Sequence, residues 1–233
     1  MRSFMSQLTI VATPIGNLAD LSVRAIEALT KCDIVLCEDT RVCTKLLQHI
    51  GISKKMICYR DDNEIQQAYK IIDMIEAGQT VCLTSDAGTP GISDPGFRIV
   101  RACRQKNIPI TTIPGPSALV TVVCASGLPT NGFLFLGFPP NKSAGRIKLL
   151  QKFSDFEYSI VFYESCHRIV RFINDIIAVM GPSRNICVAK EVTKLHEQFF
   201  VGEAGTVIDS LQNTSVKGEF TVVVAPGNFN LGN

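Results

Sequence analysis

Five polar turn segments each follow an apolar, strand-like run in the first half of the chain. Helix-like segments separate the runs, and this alternation predicts a parallel sheet. Ligands of open parallel sheets bind beyond the carboxyl ends of the strands. The sequence therefore predicts a small-molecule site built from these turns. The turns are TPIGN (13–17), EDTR (38–41), RDDNE (60–64), SDAGTPGISDPG (85–96) and PGPSA (114–118).

The turn SDAGTPGISDPG is the richest of the five, with three glycines, two prolines and two aspartates. Glycine lets a ligand come close to the backbone, and Asp86 is able to accept hydrogen bonds from an amine or a ribose. An ordinary turn at Asp86 and Gly88 is the alternative. Asp94, followed by Pro95, is typical of a helix N-cap, which predicts a structural role for Asp94.

Several classes of site are disfavoured by the sequence. A dinucleotide site is disfavoured because the sequence has no G-x-G-x-x-G. A triphosphate site is disfavoured because Phe97 and Arg98 stand where a P-loop has Lys and Ser/Thr. The nine cysteines include no C-x-x-C, so neither a zinc site nor a disulfide framework is predicted. A net charge of +2 indicates that any nucleic acid is met by a local patch rather than a basic arm.

The sequence also predicts a cytoplasmic protein without a membrane partner. The scattered cysteines are typical of a reducing compartment. Pro14 interrupts the first apolar run, LTIVAT (8–13), so no signal peptide is expected. The longest apolar stretch is too short to span a bilayer.

Two α/β domains are predicted to position these turns. Residues 1–115 contain five strand-like runs and form the first domain, with a parallel five-stranded sheet. Prolines and glycines flank one apolar helix in the segment 114–132, which favours a boundary there. Residues 116–233 form the second domain. Its consecutive strands NICVAKEV (185–192) and EQFFVGE (197–203) are close enough to pair antiparallel, which predicts a mixed sheet.

With these motifs, the chain resembles the tetrapyrrole-methylase superfamily and, within it, bacterial 2'-O-methyltransferases of small-subunit ribosomal RNA. The resemblance implies S-adenosylmethionine (AdoMet) bound in a cleft between the domains. It also implies a homodimer and methylation of a cytidine 2'-hydroxyl in the decoding region, preferably in the assembled 30S subunit. Beyond the five turns, the match includes GF (137–138), SAGR (143–146), FYES (162–165), HR (167–168), AKEVTKLHE (189–197) and KGEF (217–220).

The resemblance also implies which residues surround AdoMet. Asp86 matches the aspartate of the common cofactor loop, and small neighbours shape the floor of the site. The second domain supplies aromatic, acidic and apolar contacts. The implied cofactor-binding residues are Pro14, Asp86, Gly88, Thr89, Pro90, Ser117, Ala118, Phe138, Tyr163, Glu164 and Val192.

Methyl transfer to a hydroxyl requires close alignment and removal of one proton. Alignment contributes on the order of 7–11 kcal/mol at best, and a base about 100- to 10,000-fold. The candidate catalytic residues are Glu191, Lys194 and Asp39, with Glu38 beside Asp39. A lysine acts as a base only if its pKa is depressed. The alternative for each is a salt bridge or a helix cap.

Basic residues near the matched motifs are predicted to contact RNA. Arg146 and Arg168 lie at predicted helix starts, where the helix dipole disfavours a cation, and this points to a bound anion. Lys148 and Lys152 fit a solvated face better. The predicted RNA-binding residues are Arg41, Lys45, Lys142, Arg146, His167, Arg168, Lys190 and Lys217.

The chain departs from the family pattern at two motifs. Residues 60–64 read RDDNE where the family has a histidine-rich H-x-H-N-E, and Cys166 replaces an expected proline. Longer relatives also carry an additional C-terminal segment. Two alternatives stay open: a methyltransferase for a tetrapyrrole or other small molecule, and a non-catalytic RNA-binding assembly factor. Calorimetric titration with AdoMet distinguishes the last from the enzymes.

Overall fold

The computed structural model describes residues 7–232, so residues 1–6, at the start of the predicted first domain, and residue 233 lie outside it. The chain divides into two compact units, Met1–Ser117 and Ala118–Asn233. The sequence places the boundary slightly earlier, between residues 115 and 116.

The first unit contains a five-stranded parallel sheet, as predicted. Its strand order is β3-β2-β4-β1-β5, and every neighbouring pair is parallel. The strands are short, and the three central ones are almost fully buried and rich in branched apolar residues, as in a sheet covered on both faces, whereas the edge strands are partly exposed. They are β1 (Leu8–Val11), β2 (Ile34–Cys37), β3 (Lys55–Cys58), β4 (Val81–Leu83) and β5 (Ile110–Ile113).

Four helices cover the two faces of this sheet. Helices α1 (Val23–Lys31) and α2 (Thr40–His49) pack on one face, and α3 (Glu64–Glu76) and α4 (Phe97–Gln105) pack on the other. A short 3₁₀ turn, Leu18–Asp20, precedes α1. Each helix returns the chain to the amino end of a strand, so all five strand-to-helix turns emerge at the carboxyl edge.

The second unit contains a five-stranded mixed sheet, also as predicted. Its order is β6-β7-β10-β8-β9, with β6 parallel to β7 and the other pairs antiparallel. Helices α6, α7 and α8 share an apolar core with the sheet, and α5 contacts β10. The elements are α5 (Ala118–Ala125), β6 (Phe133–Phe135), α6 (Ser143–Lys152), β7 (Ser159–Ser165), α7 (Ile169–Met180), β8 (Asn185–Lys190), β9 (Gln198–Glu203), α8 (Ala204–Gln212) and β10 (Glu219–Val224).

The start of α4 differs from the prediction. Asp94 is not the N-cap, because α4 begins at Phe97 and its N-cap is Gly96, which has a φ of 151° and no side chain to cap with. The buried carboxylate of Glu64 takes that role from the neighbouring helix. Glu64 Oε1 accepts hydrogen bonds from the backbone N–H groups of Gly96 and Arg98, both at 2.9 Å. The glutamate of the RDDNE turn thus caps α4.

Tyr59 completes this cap. Its hydroxyl donates to Glu64 Oε1 at 3.1 Å and accepts from the Ile99 N–H at 3.1 Å. Burial, followed by the charge of Glu64, raises the pKa of the Tyr59 phenol, so the hydroxyl stays protonated and donates.

No helix within residues 7–232 is both long enough and apolar enough to cross a membrane.

Candidate active site

Hydrogen bonds join the turns that follow β1, β4 and β5. Thr13 and Gly88 form an isolated antiparallel bridge, with the Thr13 N–H donating to Gly88 O at 2.8 Å and the Gly88 N–H donating to Thr13 O at 3.1 Å. The Thr89 hydroxyl donates to Pro116 O at 3.1 Å. These bonds hold three of the five predicted turns as one surface.

The turns after β2 and β3 are joined to the same surface. The Asp39 N–H donates to Asp86 Oδ1 at 3.0 Å, and the Asp86 N–H donates to Glu38 Oε1 at 3.3 Å. Arg60 Nε donates to Glu38 O at 2.8 Å. The five turns therefore form one hydrogen-bonded cluster at the carboxyl edge of the sheet.

The predicted cofactor residues of the first unit differ in exposure. Asp86 is exposed, Pro14, Thr89 and Ser117 are half-buried, and Pro90 is buried.

Gly88 is buried between two turns, with a φ of +87°, and a Cβ there would lie 3.4 Å from Ile15 Cγ2. A larger side chain is disfavoured by both the backbone conformation and the contact with Ile15.

The carboxyl edge carries several carboxyl groups close together. Burial, then the charge of Glu38, raises the pKa of Asp94 to about 7, although a hydrogen bond with Ser85 acts in the opposite direction. Burial also raises the pKa of Glu38, and the nearby charge of Asp86 adds to this effect. Such an edge favours a cationic ligand over an anionic one.

Glu164 presents an unsatisfied acceptor in the second unit. The residue is 2% exposed, and its Oε1 accepts from the Ser165 N–H at 2.7 Å and from Arg168 Nε at 2.8 Å. Its Oε2 is buried and has no hydrogen-bond partner among residues 7–232. Leaving a buried charged acceptor unpaired is costly, so this oxygen is suited to a ligand that donates a hydrogen bond.

Aromatic rings lie next to Glu164 in the chain and on β6. The Tyr163 ring packs edge-to-face against Phe135 and Phe138, with centroid distances of 4.9 and 5.7 Å. Phe138 is nevertheless 56% exposed. The Tyr163 hydroxyl accepts from the Leu119 N–H, at the start of α5, at 3.1 Å. The predicted cofactor residue Ala118 is half-buried on this helix.

Glu191, Lys194 and Glu219 form a network of charged groups after β8. Lys194 Nζ lies 2.9 Å from Glu191 Oε1 and 2.7 Å from Glu219 Oε2. Burial alone would lower the pKa of Lys194, but hydrogen bonds to the two carboxylates outweigh it, and the pKa is raised. Burial alone would raise the pKa of Glu191, but the bonds from Lys194 and from the Glu219 N–H outweigh it, and the pKa is lowered. The condition for a lysine base, a depressed pKa, is therefore not met in this arrangement.

The backbone around this network is strained. Glu191 and Thr193 have φ values of 52° and 69°, a backbone conformation that residues other than glycine rarely adopt. Buried Val192, a predicted cofactor residue, lies between them. A Cβ at Gly218 would lie 2.6 Å from Glu191 Cγ, so only glycine leaves room for the Glu191 side chain.

Glu219 belongs to this charged network, and the sequence alone did not single it out. In the antiparallel pairing of β10 with β8, Phe220 lies opposite Lys190, and this register brings Glu219 beside Glu191. The motif KGEF contains Glu219, but only the strand register shows that Glu219 lies beside Glu191.

Asp39 occupies a capping position. Its Oδ1 accepts from the Arg41 N–H at 2.8 Å at the start of α2, and the Arg41 guanidinium also binds the carboxylate. The hydrogen bonds from Arg41 hold the pKa of Asp39 far below its usual range. This is the cap and ion pair that the sequence left open as the alternative to catalysis.

Most predicted RNA-binding residues are exposed, but the structure buries two of them, which corrects the predicted surface role of those two. The exposed ones are Arg41, Lys45, Lys142, His167 and Lys217.

Arg146 is 3% exposed, and its Nε pairs with Asp175 Oδ2 at 2.6 Å. Lys190 is 6% exposed, and its Nζ donates to Ser215 O. Neither cation reaches the surface, so neither contacts a phosphate in this conformation.

The anion that Arg146 and Arg168 indicate is a protein carboxylate. Arg146 binds Asp175 of α7, and Arg168 binds Glu164 Oε1 at 2.8 Å. These carboxylates explain why both arginines are stable near the start of a helix, and no external anion is needed. Arg168 keeps a side chain that is 20% exposed.

Comparisons with known proteins agree with this architecture. The family model described as Tetrapyrrole (Corrin/Porphyrin) Methylases matches residues 7–208. The protein called ribosomal RNA small subunit methyltransferase I from Synechocystis sp. is 43% identical over 221 residues, covering 95% of this chain and 79% of that protein. The protein of the same name from Hydrogenobaculum sp. is 41% identical over 224 residues, covering 95% and 96%.

A solved structure shows the same fold at low identity. The uroporphyrin-III C-methyltransferase from Thermus thermophilus, in complex with S-adenosylhomocysteine, has a TM-score of 0.63 and 17% identity, covering 94% of this chain and 97% of that one. Fold, motifs and near-complete coverage agree: the chain belongs to the tetrapyrrole methylases and, within them, to the ribosomal RNA small subunit methyltransferase I family.

Proposed function

We propose that the chain is a cytoplasmic enzyme that uses AdoMet to methylate a cytidine 2'-hydroxyl in the decoding region of small-subunit ribosomal RNA. The observation that carries this proposal is 43% identity across 95% of the chain to a relative that is named for methylation of that RNA. The assembled 30S subunit is the proposed substrate, because it holds the target nucleotide in one shape. A homodimer is the proposed working form.

Each unit, taken by itself, carries residues whose chemistry suits AdoMet. The cofactor carries amine and hydroxyl donors, which match the exposed carboxylate of Asp86 and the unpaired Oε2 of Glu164. When bound, it supplies an electrophilic methyl group on a positively charged sulfonium. The acidic carboxyl edge, with Glu38 and Asp94, suits a cation there. The proposed cofactor-binding residues remain Pro14, Asp86, Gly88, Thr89, Pro90, Ser117, Ala118, Phe138, Tyr163, Glu164 and Val192.

Asp86 is the proposed anchor of the first unit. The Asp39 N–H fixes the direction of its carboxylate through Oδ1, so less freedom is lost when a ligand donor binds. Buried Gly88 follows two residues later, and the Thr13–Gly88 bridge keeps its backbone in place.

Glu191 is the proposed proton acceptor for the ribose hydroxyl. Its lowered pKa keeps it ionised at neutral pH, whereas the raised pKa of Lys194 keeps that residue protonated. In this arrangement Lys194 orients Glu191 and Glu219, and it becomes a base only if it leaves both carboxylates. Asp39 is the weaker candidate, because Arg41 and the start of α2 already hold its carboxylate.

The exposed basic residues are proposed to hold RNA phosphates. Phosphate contacts position an RNA, while the 2'-hydroxyl distinguishes RNA from DNA. This role suits Arg41, Lys45, Lys142, His167 and Lys217, which are exposed. Partly exposed Arg168 has Glu164 as its partner and is proposed to support the cofactor contact as well as RNA.

Tritiated methyl transfer from AdoMet to small subunits that lack the modification tests the proposal. We expect label in the ribosomal RNA, at a site that becomes resistant to ribonuclease cleavage because its 2'-hydroxyl is blocked. Label on a base, or on a tetrapyrrole and never on RNA, contradicts it. A calorimetric titration with AdoMet and S-adenosylhomocysteine runs in parallel, and the absence of binding favours the non-catalytic assembly factor instead.

A further inference from the structure

Helix α4 carries a basic and aromatic face that the predicted RNA contacts do not include. Phe97, Arg101 and Arg104 have the spacing i, i+4, i+7 and so lie along one side of the helix. All three are exposed, with Phe97 at 64%, and exposed Arg98 lies beside them. The opposite side holds buried Ile99 and Cys103 against the sheet. We call Phe97, Arg98, Arg101 and Arg104 the α4 face.

The three arginines of this face follow one another on a single helix without a carboxylate counterion, whereas Arg24, Arg60, Arg171 and Arg184, which have no ion pair either, are scattered along the described chain. Within residues 7–232, no carboxylate lies within ion-pair distance of Arg98, Arg101 or Arg104. By contrast, Arg41, Arg146 and Arg168 each bind a carboxylate. Arginine is a planar donor that binds phosphates through two hydrogen bonds and stacks on flat rings. An uncompensated row of this type suits a polyanion.

Exposed apolar side chains are present on α4 itself and on the neighbouring helix α3. The Arg98 guanidinium lies 5.8 Å from the centroid of the Phe97 ring. On α3, Tyr69 is 73% exposed and Ile65 is 58% exposed. Glu64, next to Ile65 in the chain, binds the first turn of α4. Aromatic rings beside arginines are the combination on which unpaired bases stack while their phosphates are neutralised.

The position of the α4 face connects it with the carboxyl-edge cluster. Phe97 directly follows the turn 85–96, which contains Asp86 and Gly88. The Glu64 cap fixes the first turn of α4, so Phe97 is presented from rigid backbone.

We infer that the α4 face binds unpaired small-subunit ribosomal RNA next to the methylated nucleotide. This inference rests on the proposed function. It assigns RNA contact to three arginines and one ring that the family motifs do not single out. Arg101 and Arg104 neutralise phosphates, and Phe97 stacks on a base.

Charge reversal at this face tests the inference. The test variant is Arg101→Glu with Arg104→Glu, and the matched control is Lys148→Glu with Lys152→Glu, which reverses two exposed cations on α6. Both variants change the net charge equally. Cosedimentation with small subunits that lack the modification measures the Kd at several salt concentrations. Calorimetry with AdoMet and light scattering accompany it.

The salt dependence of binding separates phosphate neutralisation by the arginines from base stacking on Phe97. Replacing Arg101 and Arg104 by Ala is expected to flatten the slope of log K against log salt by about 1.4, for two phosphates on a single strand. Phe97→Ala is expected to raise the Kd roughly 5- to 150-fold without changing that slope, and Phe97→Tyr to restore binding. AdoMet affinity stays at the wild-type value in all of these variants.

Each other outcome overturns the inference. If the wild type methylates subunits and the α4 reversal binds them normally, or no worse than the α6 control, the α4 face is not an RNA surface. If the α4 reversal alters the oligomeric state but not RNA affinity, the face joins copies of the chain. If the wild type neither binds nor methylates small subunits, the proposed function falls, and the inference falls with it.

Discussion

The backbone N–H of Asp39 donates to Asp86 Oδ1 at 3.0 Å, so the first residue before α2 orients the carboxylate that follows β4. Two strand-to-helix turns, 47 residues apart, are thereby coupled at the proposed cofactor anchor. This contact uses Oδ1 of Asp86, and the proposed cofactor contact is the second role of the same carboxylate.

Replacing Asp86 by Ala is expected to weaken AdoMet binding about 10- to 150-fold, the loss of one hydrogen bond to a charged group. Calorimetric titration measures the Kd. Asp73→Ala, at an exposed position on α3, is the matched control and is expected to bind as the wild type does. Equal affinity in Asp86→Ala and the wild type would show that Asp86 has only a structural role.

Replacing Gly218 by Ala is expected to displace the Glu191 side chain, because the new Cβ would lie 2.6 Å from Glu191 Cγ. A misplacement of about 1 Å in a reacting group costs roughly 100-fold in rate, so kcat for methyl transfer falls by that order while AdoMet still binds. The control is Gly181→Ala, which has a similarly positive φ of +88° but no atom within 4 Å of the new Cβ. Equal losses in both variants would indicate backbone strain alone.

Replacing Arg146 by Ala is expected to destabilise the fold rather than weaken RNA binding directly. The side chains of Arg146 and Asp175 are 4% and 12% exposed, and removing the arginine leaves a buried carboxylate without its partner. Breaking such a pair costs about 3–5 kcal/mol, which urea unfolding measures. Lys148→Ala, an exposed change on the same helix, is expected to leave stability nearly unchanged. A fully stable Arg146→Ala with reduced RNA affinity would restore the surface role.

The raised pKa of Asp94 predicts a pH-dependent stability. Its pKa is about 7 in the folded chain, against 3.8 for a free aspartate side chain. Between these values the folded state keeps a proton that the unfolded state has released, so stability falls as pH rises from about 4 to 7 and then levels off. Asp94→Asn cannot ionise, so it removes the cost of ionising this buried carboxyl group at high pH. The variant should therefore gain stability over the wild type at pH 8 relative to pH 5, as measured by urea midpoints. The same difference at both pH values would contradict the assignment.

The succession of strands and helices along the first unit was predictable, because short apolar runs closed by glycine and proline turns alternate with helix-like segments, which indicates parallel strands. The cap of α4 was not predictable in the same way. Asp94 and Pro95 form a good local capping signal, but the carboxylate of Glu64 reaches the helix from another element. Local patterns report backbone preference and carry no information on such distant contacts.

In the candidate site, too, local patterns were predictable and contacts between distant residues were not. The motif turns identified the five loops at the carboxyl edge, because their chain position after each strand determines where they emerge. The pairing of Lys194 with Glu219 depends on the β8–β10 register, and the burial of Arg146 depends on an aspartate 29 residues further along the chain. Charge and helix position alone suggested surface roles for residues that the fold places inside.

The strand order of the first unit also has a consequence for how the chain folds. Strand β4 lies between β1 and β2, and the neighbours of β1 among the described strands are β4 and β5. Residues 8–11 therefore have no neighbouring strand until residues 81–83 have been synthesised. Contacts this distant in sequence slow folding. A nascent chain that ends before Val81 exposes an apolar strand with no partner, which makes early chain termination a route to aggregation.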